Sequence, residues 1–285
     1  MKTNLKDFSL IIRTYLLEML QERGYGHLGG SMSIVELLSV LYGKHMNINP
    51  QEPHWDQRDY LILSKGHAGP ALYATLAAKG FFDKDLLFTL NDNETNLPSH
   101  TDRLRTPGID MTNGSLGQGS SVAAGIAYDI RLSNSDQKVF VIVGDGELNE
   151  GQCWEAFQFI AHQRLDNLIV FIDENKKQLD DYTSGIIESF DLTKKMEAFG
   201  FYTQYVKGDD EHAIDMAIEK ALTVKNQALC IVLDTIKGQG MNHFEEMKDN
   251  HSPKFGAEDN QQIDAFVNSA YEHLKEQGYD LSKLR

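Results

Sequence analysis

The sequence predicts an α/β fold built on a mainly parallel sheet with helices on both faces. Three apolar runs carry that reading: VFVIV at 139–143, LIVFI at 168–172 and ALCIVL at 228–233. Each is continuous rather than alternating, as expected of strands buried on both sides. Helical stretches near 150–163 and 210–225 lie between them, and alternation of strand with helix builds a parallel sheet.

Taken in order, Leu5, Phe8, Ile12, Tyr15, Leu16, Met19 and Leu20 recur at helical spacing and predict an amphipathic helix over 4–23, ended by Gly24 and Gly26. Ser33 stands where an N-cap would open a second helix running to about His45, with Glu36 at the capping-box position. Pro50 and Pro53 mark a loop. Residues 60–64 form a short strand, followed by Lys-Gly-His and a helix over 68–79. Residues 91–113 are polar and aperiodic and contain two prolines, a long loop of the kind that often carries function. A helix rich in Ala and Gly covers 117–132, and a last helix covers 257–277. No repeat or low-complexity linker divides the chain, so residues 1–285 read as one domain.

The net charge of -15 comes from scattered acidic residues. It therefore reads as a solubility feature and excludes the basic stripe of a nucleic-acid binder. Cys153 and Cys230 lack CxxC spacing, which excludes a disulfide framework and a cysteine zinc site and fits a reducing cytoplasm. Arg13 and Glu18 interrupt the N-terminal apolar residues, so no signal-peptide core is present. No uncharged apolar run approaches the roughly 18 residues a membrane span needs.

In a parallel sheet, ligands gather at the carboxyl ends of the strands. Two of these ends are chemically loaded. One apolar run leads into Gly144-Asp145-Gly146 and the next into Asp173-Glu174-Asn175. The thirty residues from Asp145 to Asn175 allow one helix and a return strand, which brings both side chains to neighbouring strand ends. A carboxylate, an amide oxygen and a backbone carbonyl form half an octahedral shell for Mg2+, which phosphate oxygens and water complete. Gly144 and Gly146 let a diphosphate approach the backbone, and the helix over 150–163 turns its positive end toward the anion. By itself Gly-Asp-Gly also reads as an ordinary strand-to-helix turn. Lys65 and His67 follow the strand at 60–64, His27 lies between glycines, and His100 lies in the long loop, where functional residues concentrate. GSLGQG at 114–119 lacks the preceding apolar strand of a dinucleotide-binding loop. His54, His162 and His212 read as surface residues.

The segment GDGELNEGQCWEA followed by FIDENKKQLDD resembles the thiamine-diphosphate motif of transketolases, in the form found where the enzyme is split over two polypeptides. GHLGGSMSIVELLSVLY, LILSKGHAGPALYA and TPGIDMTNGSLGQGSSVAAGIA resemble other transketolase stretches, and the similarity runs from about residue 8 to 255. The resemblance implies a thiamine-diphosphate-binding fold. It assigns metal binding to Asp145 and Asn175 through side chains and to Lys177 through its carbonyl, with Mg2+, or Ca2+ or Mn2+, as the ion. It places Gly146 and Glu147 along the diphosphate. His27, Lys65 and His67 line the diphosphate and the reactive thiazolium carbon, and Gly114 and Leu116 lie at the aminopyrimidine end. It sets Lys237 near the cofactor, turns His100 and His251 toward the sugars, and puts Glu150 at a subunit interface. His27, His67, His100 and His251 are the implied proton-transfer set, suited to alkoxide oxygens because imidazole titrates near neutrality.

Leu28, Thr101, Asn250 and Ser252 depart from the family's usual residues, Pro at 28 and at 101 among them, and all adjoin the implied sugar-facing histidines. The family's pyrimidine-binding and C-terminal domains have no counterpart here, since the likeness runs out by about residue 260. The resemblance therefore implies a separate partner subunit carrying the pyrimidine-binding domain, an α2β2 heterotetramer, and two-carbon ketol transfer between sugars or sugar phosphates in carbohydrate metabolism of the pentose-phosphate kind. A ketol- or acyl-transferase of specialised sugar metabolism, the alpha chain of a 2-oxo-acid dehydrogenase, and a non-catalytic cofactor-binding subunit are the competing readings.

Overall fold

The computed structural model describes residues 4–179 and 181–284; Asp180, within the second motif segment, lies outside the described residues. Helix α1 (Leu5–Arg23) opens where the Asn4 side chain accepts the Lys6 N–H and closes at Gly24 in the left-handed region, φ 79°. The stretch expected as one helix to His45 is broken into α2 (Gly29–Met32), α3 (Val35–Val40) and a π turn over Leu41–His45. Ser33 and Glu36 do not cap it. The Ser33 hydroxyl donates to Asp173 at 2.7 Å, and the Glu36 carboxylate accepts from buried Arg13 at 2.6 Å and from Gln239 at 2.9 Å. Both side chains are drawn into the interior, where a buried charge or hydroxyl must find its partner.

Strand β1 (Tyr60–Leu63) leads through a 3-10 turn to α4 (Gly69–Lys79), then α5 (Gln118–Leu132), β2 (Val139–Gly144), α6 (Gly151–Gln163) and β3 (Leu168–Glu174). A two-stranded ribbon of β4 (Lys177–Gln178) and β5 (Asp181–Tyr182) follows, with α7 (Thr183–Ile186) and α8 (Leu192–Ala198). The chain then runs through β6 (Tyr202–Lys207), α9 (Glu211–Thr223), β7 (Leu229–Asp234), α10 (Asn242–Glu246) and α11 (Ala257–Glu276).

The main sheet has five strands in the order β1-β2-β3-β7-β6, all parallel. Alternate side chains of its central strands feed two cores. Phe140, Ile142, Phe171, Ile231 and Leu233 join α1, α3, α4 and α9 on one face, and Val141, Val143, Val170, Ile172 and Val232 join α5 and α6 on the other. After β3 the chain jumps to the edge at β6 and returns to β7, so α9 covers the face opposite α5 and α6, as right-handed crossovers require when the direction of winding reverses. Strand β6 and helix α8 were not legible in the sequence. As an edge strand, YTQYVK is only half-buried and lacks a continuous apolar run.

Candidate functional site

The carboxyl ends of β1, β2, β3 and β7 open onto one cavity of about 240 Å³. It is lined by His27, Lys65, His67, His100, Gly114, Leu116, Asp145, Gly146, Glu147, Asn175, Lys177, Lys237 and His251. The structure therefore gathers thirteen of the fourteen site residues expected from sequence. Glu150 stands apart, exposed at the N-terminus of α6. His54, His162 and His212 are exposed, as read from the sequence.

The sheet register pairs Gly144 with Asp173, which places Asp145 beside the segment that carries Asn175. One Asp145 carboxylate oxygen accepts the Gly146 N–H at 2.8 Å and the other accepts the Lys176 N–H at 2.7 Å. Burial, then the nearby Asp173, pushes the Asp145 carboxyl up to about 7. Each of its oxygens retains a lone pair for a cation. The Asn175 amide donates from Nδ2 to Asp173 at 2.7 Å, while Oδ1 accepts the Lys177 N–H at 3.2 Å. Among the described residues no group of three or more His, Cys, Asp and Glu forms a metal site. One carboxylate beside one amide oxygen suits instead a hard cation that shares its shell with phosphate oxygens. At Gly146, space rather than backbone freedom matters. A Cβ there would lie 2.9 Å from Cβ of Gln178.

Two expected cofactor contacts are already engaged within the protein. The Lys65 ammonium lies 2.6 Å from Asp173 and donates to the Gly30 carbonyl, also at 2.6 Å. Burial alone would raise the Asp173 carboxyl, but the Lys65 charge and the bonds from Lys65, Thr235 and Ser33 bring it below its ordinary value. Glu147 accepts the Gly117 N–H at 2.7 Å, the Gly144 N–H at 3.1 Å and the Ser64 hydroxyl, so its carboxylate ties the GSLGQG loop to the Gly-Asp-Gly turn. Burial raises its pKa. Asp173 and Glu147 thus act as connectors. Sequence reading missed Asp173, although a carboxylate ending a wholly apolar run was the signal.

The four histidines form one cluster. His27 lies 5.7 Å from His67, 5.3 Å from His100 and 5.3 Å from His251 between ring centroids, and His67 lies 5.0 Å from His251. Burial, reinforced by His100 and Lys237, pulls His27 down to about 4. Burial, with Lys237 and His27 beside it, takes His251 to about 4 as well. His67 is held well below its ordinary value by burial and Lys65, and His100 is lowered by burial. At neutral pH all four rings are therefore uncharged, ready to accept a proton at one nitrogen and donate at the other. Lys237 is drawn down to about 8 by burial, then by Lys65 and Lys177, and its ammonium donates to the Leu179 carbonyl at 2.8 Å. His251 Nδ1 is buried with no hydrogen-bond partner among the described residues.

Two of the departures from the family pattern meet here. The Leu28 N–H donates to the His251 carbonyl at 3.2 Å, and the Gly29 N–H donates to the Asn250 carbonyl at 2.8 Å. Proline at position 28 would have no N–H to give. Asn250 is buried and donates from Nδ2 to the Lys237 and Phe244 carbonyls.

The family model described as "Transketolase, thiamine diphosphate binding domain" matches residues 6–272. The chain belongs to the transketolase family. The match extends past residue 260, so the C-terminal helix belongs to the family's domain. The chain is 47% identical over 248 residues, 87% of this chain and 90% of the relative, to the 6-deoxy-6-sulfo-D-fructose transketolase subunit SqwG of Clostridium sp. (strain MSTE9). It is 37% identical over 220 residues, 77% of this chain and 79% of the relative, to an apulose-4-phosphate transketolase subunit of Actinobacillus succinogenes. Transketolase from Leishmania mexicana superposes with a TM-score of 0.86 at 28% identity, covering 96% of this chain but 44% of that one. This transketolase-family chain thus has the length of the relatives named as subunits and spans less than half of that solved structure. The residues present are compatible with thiamine diphosphate and a hard cation: Asp145 and Asn175 bring side-chain oxygens to the cavity, Gly146 leaves its wall without a side chain, and His251 Nδ1 is a polar atom with no partner among the described residues.

Proposed function

We propose that this chain is the diphosphate-binding subunit of a two-chain transketolase, folded as one domain, which moves a two-carbon ketol unit from a ketose to an aldose. Thiamine diphosphate, with Mg2+ or a similar divalent cation, supplies the electron sink that lets a carbon–carbon bond next to a carbonyl break. Asp145, Asn175 and the Lys177 carbonyl hold the cation, and Gly146 faces the diphosphate. His27, His67, His100 and His251 take and return protons at the hydroxyl oxygens of the sugars. Gly114 and Leu116 adjoin the pyrimidine. A second polypeptide brings the pyrimidine-binding domain, and Glu150, exposed on this chain, faces it in an α2β2 assembly.

The observation that carries this reading is the convergence of the metal-type oxygens and the four neutral histidines on one cavity. The 47% identity to a relative named for 6-deoxy-6-sulfo-D-fructose supports a donor of the same class, a ketose with an anionic group at its far end. The test is thermal unfolding of this chain with its partner. Thiamine diphosphate plus Mg2+ raises the melting temperature under this reading, and no shift at saturating ligand favours a non-catalytic role. The ketose is then identified by a donor screen on the pair.

A further inference from the structure

Asp173 does not line the cavity, yet it touches residues from four segments that do or that support it. Its carboxylate is fully buried at the end of β3. Oδ2 accepts from Ser33 at 2.7 Å, from Lys65 at 2.6 Å and from Asn175 Nδ2 at 2.7 Å, and Oδ1 accepts from Thr235, just past β7. The contact with Asn175 has a chemical consequence. With the amide turned over, two oxygens would face each other at that 2.7 Å separation, an arrangement of two acceptors and no donor. Asp173 therefore leaves only one orientation of the amide, the one that keeps Oδ1 away from Asp173. Asp173 also neutralises Lys65, whose side chain runs beside Gly144. An unpaired ammonium there would oppose a cation at Asp145.

We infer that Asp173 is a positioning residue for the cation site, acting through the Asn175 amide and the Lys65 charge rather than by touching metal or cofactor. This rests on the metal-binding reading of Asp145 and Asn175 above. Residues that orient a metal ligand typically set about 10- to 100-fold of the metal affinity.

The test is Mn2+ binding to the full-length chain, co-purified with its partner and saturated with thiamine diphosphate, followed by electron paramagnetic resonance of free Mn2+. Asp173→Asn weakens Mn2+ binding by about 10- to 100-fold. A control variant, Asp59→Asn, loses one of the two carboxylate oxygens that accept the Asn47 and Lys138 N–H groups away from the cavity and lowers the melting temperature without changing Mn2+ affinity. If Asp173→Asn does not fold, Thr235→Val, which removes one donor to Asp173, serves instead and weakens Mn2+ binding several-fold. Unchanged Mn2+ affinity in a folded Asp173 or Thr235 variant, even with a lower melting temperature, overturns the inference and leaves the metal site standing. Absence of Mn2+ binding by the wild-type pair overturns the metal-binding reading, and this inference with it.

Discussion

The Asp145 carboxylate accepts the backbone N–H of Lys176 at 2.7 Å, so the turn after β2 and the segment after β3 are joined by the same side chain that is proposed to bind the cation. Asp145→Ala removes both functions. At ligand concentrations a hundred times the dissociation constant, binding stabilises the native state by about 2.7 kcal/mol. The wild type, with its partner, shows an upward melting shift with Mg2+ and thiamine diphosphate, and Asp145→Ala loses it. A retained shift would place the cation elsewhere.

The Lys65–Asp173 pair has side chains 1% and 0% exposed. Removing one member of such a pair strands a buried charge and costs about 3–5 kcal/mol. Lys65→Met is therefore strongly destabilised in urea unfolding even without cofactor. A loss below about 1 kcal/mol, the worth of a surface pair, would show that the pair is not dry.

Leu28 offers a perturbation at the histidine cluster itself. Its φ of -85° is close to what proline adopts, so Leu28→Pro deletes the N–H bond to the His251 carbonyl, worth about 0.5–1.5 kcal/mol, and also trims a fully buried side chain, which adds a packing loss. Because this bond joins the segments bearing His27 and His251, the variant changes KM for the donor ketose while thiamine diphosphate affinity holds. Cofactor affinity falling with unchanged KM would contradict that division.

The histidines also fix a pH dependence. His27 and His251 are lowered to about 4 in the folded chain, whereas an unfolded histidine titrates near ~6.5. Between those values the unfolded state binds more protons, so stability falls as pH drops from about 6.5 toward 4. Replacing both by Asn flattens this part of the curve in urea midpoints measured across the range. An unaltered slope would mean that the rings are not shielded.

Much of this was legible in the sequence because burial and motif coincide. The strands β2, β3 and β7 are apolar on both faces and stand out as continuous runs, and β2 and β3 lead directly into residues that line the cavity. What was not legible depended on partners distant in the chain. Ser33 and Glu36 carry a helix-opening pattern, but Asp173, 140 residues away from Ser33, captures its hydroxyl, and Arg13 captures Glu36. The family resemblance implies that Lys65 and Glu147 contact the cofactor, yet their charged ends turn inward to Asp173 and to backbone N–H groups. Strand β6 was hidden because an edge strand does not need the apolar run that marks a central one.

Under the proposed function this chain holds half of a ketol-transfer site. The most direct measurement is ketol transfer from a ketose donor to an aldose acceptor, with thiamine diphosphate and Mg2+, by this chain alone and with a co-purified partner carrying a pyrimidine-binding domain. Neither chain alone transfers the ketol unit, and the pair does. Full activity from this chain alone would contradict that function.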